Sequence, residues 1–479
     1  MPGSNRTAGQ EFTRRARRMS AVWAIVVVVV AIAAGLGGFY YGKSQTSSSP
    51  NVTVTYYDDL APSEQTFMTQ TLIPMFEAQY PNIQISYINL GASDMVTKIA
   101  ALVQANNVGT SLIAEDNLDI GELIYGTPPA GQTGNVTYLD NISALAPLIQ
   151  PPTMIPSMTA ITNYEPSAYG GATYFVPFRA NVPLTFVNWT TLHSAGITSL
   201  PANTAQLYAD AQALQSTTGS GQVMFQGGDL SGASTSTETF QWEVQFGGNP
   251  MVFNDAGDLA AMSYLYNLSQ YMNPDYQHAY WGTYGGLANG QYSLLDYQWP
   301  YIYPLLLAGN STSPAMTTST LGVYPGPNGT SAQYGSDHVV GGDVLAIPKG
   351  ASNLWAIQLF AQFLLSTKAQ QLMMVDTSNP AVNAAAYNNL PANLSVINTA
   401  ILQALENPVF RPPVPWIGEW NDLFYNDIWN PVVLQNGGLS GLQADANNAN
   451  SQMVSFLTNN YGSATATAYS NGAYGPLYV

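Results

Sequence analysis

Two pairs of adjacent carboxylates, Asp58-Asp59 and Glu115-Asp116, are the first residues of this 479-residue chain to suggest chemistry. Carboxyl groups on either side of a glycosidic bond can serve as acid and nucleophile, the arrangement of a glycosidase. Adjacent residues of a strand point to opposite faces, however, so neither pair is a ready-made catalytic couple. The chain contains no Gly-x-Ser-x-Gly elbow and no His-Glu-x-x-His. His193, His278 and His338 are scattered, without the spacing of metal ligands. Zero cysteines remove disulfides, thiolate metal sites, a cysteine nucleophile and a lipoprotein-type lipid anchor. The expectation is a protein with no catalytic residue, no metal and no cofactor.

Both pairs stand at the ends of predicted strands. Val52, Val54 and Tyr56 alternate with polar residues up to Asp58-Asp59, and the apolar run Ser111-Leu-Ile-Ala ends at Glu115-Asp116. A helix N-cap is the structural alternative for Asp58 or Asp59. Between the pairs, Met68, Leu72, Met75 and Phe76 follow helical spacing, with Pro74 expected to kink or shorten the helix. Ile83, Ile85 and Tyr87 alternate again, and Met95, Ile99, Leu102 and Val103 form a second helical stripe. Strand, helix, strand, helix, strand predicts an α/β fold, whose ligands gather at the carboxyl ends of the strands. Farther on, Tyr174–Asn188 reads as extended chain broken by Pro177 and Pro183, suited to a crossing between domains. Thr204–Leu214 returns to helix, Gly341–Pro348 to strand, and Trp355, Leu359 and Phe363 mark the apolar stripe of a following helix.

Charge divides the chain unequally. Six of its 11 basic residues and one of its 28 acidic residues lie in the first 43 positions, leaving five basic and 27 acidic residues beyond. Arg14, Arg15, Arg17 and Arg18 precede an apolar run over residues 21–42 that is long enough to cross a bilayer as a helix, with residues beyond Lys43 outside. A cleaved secretory signal is the competing reading, against which the length of the run favours retention, and an archaeal-type signal cut near Ser20 would also leave the helix attached. Residues 43–50 form a short polar linker. The exterior is nearly free of positive charge, which excludes a basic groove for nucleic acid. Only 8% of residues are charged, against about 25% ordinarily. A surface so poor in charge changes little in acid, which predicts an acidophile's cell surface, tested by folding between pH 5 and pH 3. About 435 residues outside predict two domains.

Seven short motifs then occur in a telling order. Phe76-Glu-Ala-Gln-Tyr-Pro-Asn-Ile, Gly170-Gly-Ala-Thr-Tyr-Phe-Val-Pro, Thr185-Phe-Val-Asn and Ala195-Gly-Ile-Thr-Ser-Leu-Pro are followed by Gly322-Val-Tyr-Pro-Gly-Pro with Leu345-Ala-Ile-Pro-Lys, and by Phe363-Leu-Leu-Ser-Thr-Lys. The series resembles the family 1 extracellular solute-binding proteins, the maltose-binding-protein-like group that serves sugar-importing ABC transporters. Thr110-Ser111 and Ala205-Gln206 stand where that family often carries charge, which puts any carry-over of its charged ligand contacts in doubt. The resemblance implies a two-lobed periplasmic-binding-protein-like α/β fold with a hinge, here preceded by an N-terminal transmembrane helix. The lobes are expected at residues 51–177 plus 335–379 and at residues 178–334 plus 380–479.

The implied partners are a carbohydrate and the permease subunits of an ABC transporter, with the N-terminal helix in the membrane. A sugar needs carboxylate or amide acceptors for its hydroxyls and flat aromatic platforms for its C–H faces. The acceptors expected are Asp58, Asp59 and Asp116 at first-lobe strand ends. Asp343 joins them, after a Gly341-Gly342 pair that would let backbone approach a ligand closely. Trp299 is the leading platform by position in the family pattern, with Trp416 and Trp420 next; Trp242 and Trp281 are weaker candidates, an ordinary core role being the expectation for either. Arg179, in the proposed crossing, could bond ligand hydroxyls or lock a carboxylate, whereas Arg411 is expected to anchor the last helices. The competing functions are an extracellular glycoside-processing enzyme and a structural or adhesive surface glycoprotein. The latter is suggested by sequons at Asn51, Asn135, Asn141, Asn188, Asn267, Asn310, Asn328 and Asn393, but the chain lacks the repeats usual in such proteins.

Overall fold

The computed structural model describes residues 51–126, 136–159, 161–162, 170–228, 233–278 and 283–478. The predicted membrane segment and Trp281 lie outside these. Among the described residues no helix is long and apolar enough to cross a membrane. Residues 51–53 and 77–84 make a small unit of their own, in which Val52 N donates to Asn82 O at 3.0 Å.

Among the described residues twelve strands form three sheets. They are β1 (Val52–Asp58), β2 (Ile83–Asn89), β3 (Ser111–Asp116), β4 (Phe175–Pro177), β5 (Leu184–Asn188), β6 (Val223–Met224), β7 (Leu294–Gln298), β8 (Leu321–Tyr324), β9 (His338–Val340), β10 (Asp343–Ala346), β11 (Pro408–Phe410) and β12 (Leu477–Tyr478). The first sheet has the order β2-β1-β3-β10-β4, the second β6-β7-β5-β8, and a small third β12-β11-β9. Strand β1 runs parallel to β3, while β10 is antiparallel to both β3 and β4. The carboxyl ends of β1, β3 and β4 and the start of β10 therefore share one edge.

Local chemistry explains several departures from the sequence-based expectation. Pro74 does not break its helix: Pro62–Phe67, a π-helical turn at Met68–Leu72 and Ile73–Gln79 follow one another without interruption. A wider turn just upstream relieves the clash between a proline ring and the carbonyl four residues earlier. Pro431 is likewise housed in a π-helical segment, Phe424–Leu434. The helix starts at Pro62 after the N-cap residue Ala61, whose N–H donates to Glu64 Oε2 at 2.8 Å, so neither Asp58 nor Asp59 caps it. In helix Leu354–Leu364 the buried face is Ala356, Ile357, Phe360, Ala361 and Leu364, and the expected stripe of Trp355, Leu359 and Phe363 sits at its half-buried flank. Nine of its eleven residues are apolar, so periodicity alone could not choose the face.

Three lengths of chain run side by side beside these sheets. Residues 178–183 join β4 of the first sheet to β5 of the second. Residues 341–342 join β9 to β10, and residues 380–381 lie on the other flank. Phe178 N and Arg179 N both donate to Asp343 O, Gly341 N to Asn181 O and Ala180 N to Pro380 O, at 2.8–3.2 Å. The strand expected over Gly341–Pro348 consequently begins only at Asp343. The glycine pair serves the crossing, since a Cβ on Gly342 would lie 2.2 Å from Arg179 O. Gly342→Ala is therefore expected to cost about 1–3 kcal/mol through forced backbone displacement. Gly91→Ala, where a Cβ meets nothing within 4 Å, should cost less than about 1 kcal/mol. Equal denaturation midpoints for the two variants would contradict this.

Candidate functional site

Strand alternation places Tyr56 and Asp58 on one face of β1, where Tyr56 OH donates to Asp58 Oδ2 at 2.6 Å. Two strands away, register sets Asp343 directly opposite Asp116. Arg179, two residues past the end of β4, reaches back across this edge. Its Nη2 and Nη1 donate to Asp58 Oδ1 and Oδ2 at 2.6 and 3.1 Å, and its Nε donates to Asp343 Oδ2 at 2.6 Å. The guanidinium carbon also lies 4.8 Å from the centre of the Phe178 ring. Both carboxyl oxygens of fully buried Asp58 are thus held by protein donors. Burial pushes that carboxyl upward and Arg179 pulls it back, while the forked geometry is that of an ionised pair.

A second arginine engages the same edge. Phe410 is paired with Val340 in the parallel β11–β9 ladder, so Arg411 emerges beside Gly341. Its Nη2 donates to Asp116 Oδ1 and Oδ2 at 2.9 and 3.1 Å, and its Nη1 donates to Thr237 Oγ1 at 2.6 Å. Thr237 belongs to helix Ala233–Gln245, where Thr235, Ser236, Glu238, Thr239, Gln241, Glu243 and Gln245 are also buried. A helix so polar on its inner faces has no apolar stripe to announce it, and it supplies the neutral acceptor that a buried arginine needs.

Asp59 and Asp119 complete the acidic edge. Both are half-buried, and among the described residues neither forms an ion pair. Burial, then the charges of Asp58 and Asp343, push Asp59 up to about 7. Burial, then Asp116 and Glu122, push Asp119 up to about 8. Among the described residues no three His, Cys, Asp or Glu side chains converge as metal ligands would.

From the second sheet, Trp299 follows the end of β7 and packs over Gly341. A Cβ there would lie 2.7 Å from the indole Cη2 and 3.4 Å from Arg411 Nη2. Asp58, Asp59, Asp116, Asp343, Arg179 and Trp299 are thus gathered at one place. Trp420 and Trp416 are placed elsewhere. Trp420 is stacked between Phe253 and Phe424, at 5.9 and 5.7 Å, and donates through Nε1 to Pro250 O. Trp416 is buried with Tyr469 and Tyr474 edge-on to it. Trp242 is buried among Phe246, Tyr264 and Tyr297.

Arg411, Thr237 and Asp119 were not assigned to the site from sequence. The signal for Arg411 was present, because a chain with five cations beyond its first 43 residues is expected to pair any that it buries. Chemically, the edge offers carboxyl acceptors beside an indole and two arginines held by protein carboxylates, the buried Nε of Arg411 being left without a partner.

Solved structures share this architecture. The maltose-bound MalE3 of T. maritima superposes with a TM-score of 0.70 at 17% identity, over 85% of this chain and 100% of that one. The GacH receptor of Streptomyces glaucescens, known unliganded and with acarbose, gives 0.65 at 19% identity, over 85% and 98%. An ABC transporter solute-binding protein of Thermotoga lettingae bound to α-D-tagatose gives 0.66 at 18% identity, over 84% and 99%. Likeness at such identities establishes the two-lobed α/β fold alone. Among curated proteins no sequence matches the chain. The model of the bacterial extracellular solute-binding proteins matches residues 57–371, well over half of the chain, and the chain belongs to that family, whose members bind solutes and are not enzymes.

Proposed function

We propose that the protein captures a carbohydrate between its two lobes and delivers it to an ABC importer, held at the membrane by the apolar run at residues 21–42. The observation that carries this reading is the meeting of first-sheet carboxyls Asp59, Asp116 and Asp343 with Trp299 of the second sheet, beside three crossing segments. Carboxyls serve hydroxyls and the indole serves a sugar's C–H face. Closure about residues 178–183, 341–342 and 380–381 then traps the solute, provided the closed form binds it better than the open one. The lobes are taken as residues 51–177 plus 335–379 and residues 178–334 plus 380–479. The MalE3, GacH and T. lettingae proteins, bound to maltose, acarbose and tagatose, support a sugar as the solute.

Two further properties belong to this reading. The scarcity of charge suits an acidic exterior. Glycans suit the exposed sequons Asn51, Asn141, Asn267, Asn310, Asn328 and Asn393 but not Asn188, which is buried with its amide nitrogen donating to Leu287 O.

Thermal unfolding with a panel of mono- and oligosaccharides tests the function. Saturable stabilisation without product is expected, amounting to about 2.7 kcal/mol at a hundredfold excess over Kd. Trp299→Ala should weaken the best sugar about tenfold. Indifference to every sugar, or turnover of one, would overturn the reading.

A further inference from the structure

One guanidinium, that of Arg411, holds two parts of the molecule that no strand pairing joins. On one side is Asp116, at the end of β3 in the first sheet. On the other is Thr237, in the helix between β6 and β7 of the second sheet. We propose that Arg411 is a positioning residue, a cross-tie that sets how far apart the two layers rest before any solute arrives. This rests on the reading of the protein as a two-lobed receptor.

Four observations carry the proposal. Arg411 is 1% exposed, so its direction is dictated by its partners and not by solvent. The Asp116 side chain is 27% exposed, so one end of the tie is open to competition from solvent or solute while the other is sealed. The two partners use different nitrogens, Nη2 and Nη1, which a planar guanidinium can address separately and a lysine ammonium cannot hold in fixed directions. Trp299 leans on Gly341 immediately beside the guanidinium, leaving space there only for a glycine hydrogen. The groups around the tie favour its first-sheet end, since Asp343 faces Asp116 and Glu115 and Asp119 lie on either side of it. No second cation shares Asp116 among the ion pairs of the described residues.

The absence of cysteine makes a clean test possible. Lys98→Cys and Ser216→Cys are exposed sites on helices Ala92–Gln104 and Thr204–Thr218, which lie between strands of the first and second sheets respectively. Dyes at these positions report layer separation in the full, solute-free chain by single-molecule energy transfer. Arg411→Met and Asp116→Asn are each expected to raise the ratio of separated to closed molecules about tenfold. Thr237→Val, which removes one neutral acceptor at nearly constant volume, should shift the distribution the same way by a smaller factor. Arg411→Lys should restore only part of the closed population. Lower melting temperatures with unchanged separation in Thr237→Val and Asp116→Asn would reveal a purely structural residue and overturn the proposal, even if Arg411→Met fails to fold. The receptor reading fails differently, through a parent protein whose separation no sugar alters.

Discussion

Arg179→Met is expected to destabilise the protein by about 3–5 kcal/mol, the penalty for stranding a buried carboxylate by removing its partner. Asp58 is wholly enclosed and, among the described residues, its carboxyl has only Arg179 and Tyr56 as donors, while Asp343 loses its ion pair at the same stroke. Since Arg179 lies in the crossing segment, the damage falls where β1, β10 and the chain leaving β4 converge. Chemical denaturation of Arg179→Met, Asp58→Asn and the double variant measures it. The double variant should lose less than the two single losses added together, because an amide in place of the Asp58 carboxylate carries no charge to be stranded. Strict additivity would mean that the pair contributes no coupling of its own.

The second large effect concerns pH. Burial pushes the carboxyls of Asp59, Asp119 and Asp296 up to about 7, 8 and 7, whereas free carboxyls titrate near 4. A raised group holds its proton more tightly in the folded chain than in the unfolded one. Its contribution to stability is therefore complete below about pH 4 and disappears as pH climbs to 7–8. His338 acts in the opposite sense. Burial pushes it down to about 4, so its contribution is complete above about pH 6.5 and is lost on descending to 4. Three carboxyls against one imidazole leave a net gain on acidification. For Asp296, which is 1% exposed, the change between pH 4 and pH 7 is on the order of 4 kcal/mol. Melting temperature should accordingly rise as pH is lowered from 8 to 4, and Asp296→Asn should flatten the rise. A fall over that interval would refute the acid adaptation and the ionisation scheme together.

How far the sequence revealed these features depended on whether the determining contact was local. Alternation at Val52, Val54 and Tyr56 located β1, and the acidic residues at the ends of β1 and β3 lie on the edge where the candidate side chains gather. The extended chain around Pro177 and Pro183 indicated a crossing. By contrast, the β12-β11-β9 sheet pairs residues roughly seventy positions apart, and no local pattern encodes such a register. Helix Ala233–Gln245 is polar on its buried faces, so it presented no stripe. Trp420 follows closely behind Trp299 as a platform in sequence, yet Trp420 is enclosed by Phe253 and Phe424 whereas Trp299 lies over a glycine. Composition has no access to that distinction.

The place of β10 has a consequence for the order in which the molecule can be made. Its partners β3 and β4 are complete by residue 177, but β10 itself is not present until residues 343–346. The third sheet closes later still, with β12 at Leu477–Tyr478. A chain emerging from the ribosome therefore carries its first sheet unfinished through most of synthesis, and contacts so distant in sequence form slowly. A chain cut before residue 343 would therefore lack the strand that joins β3 to β4.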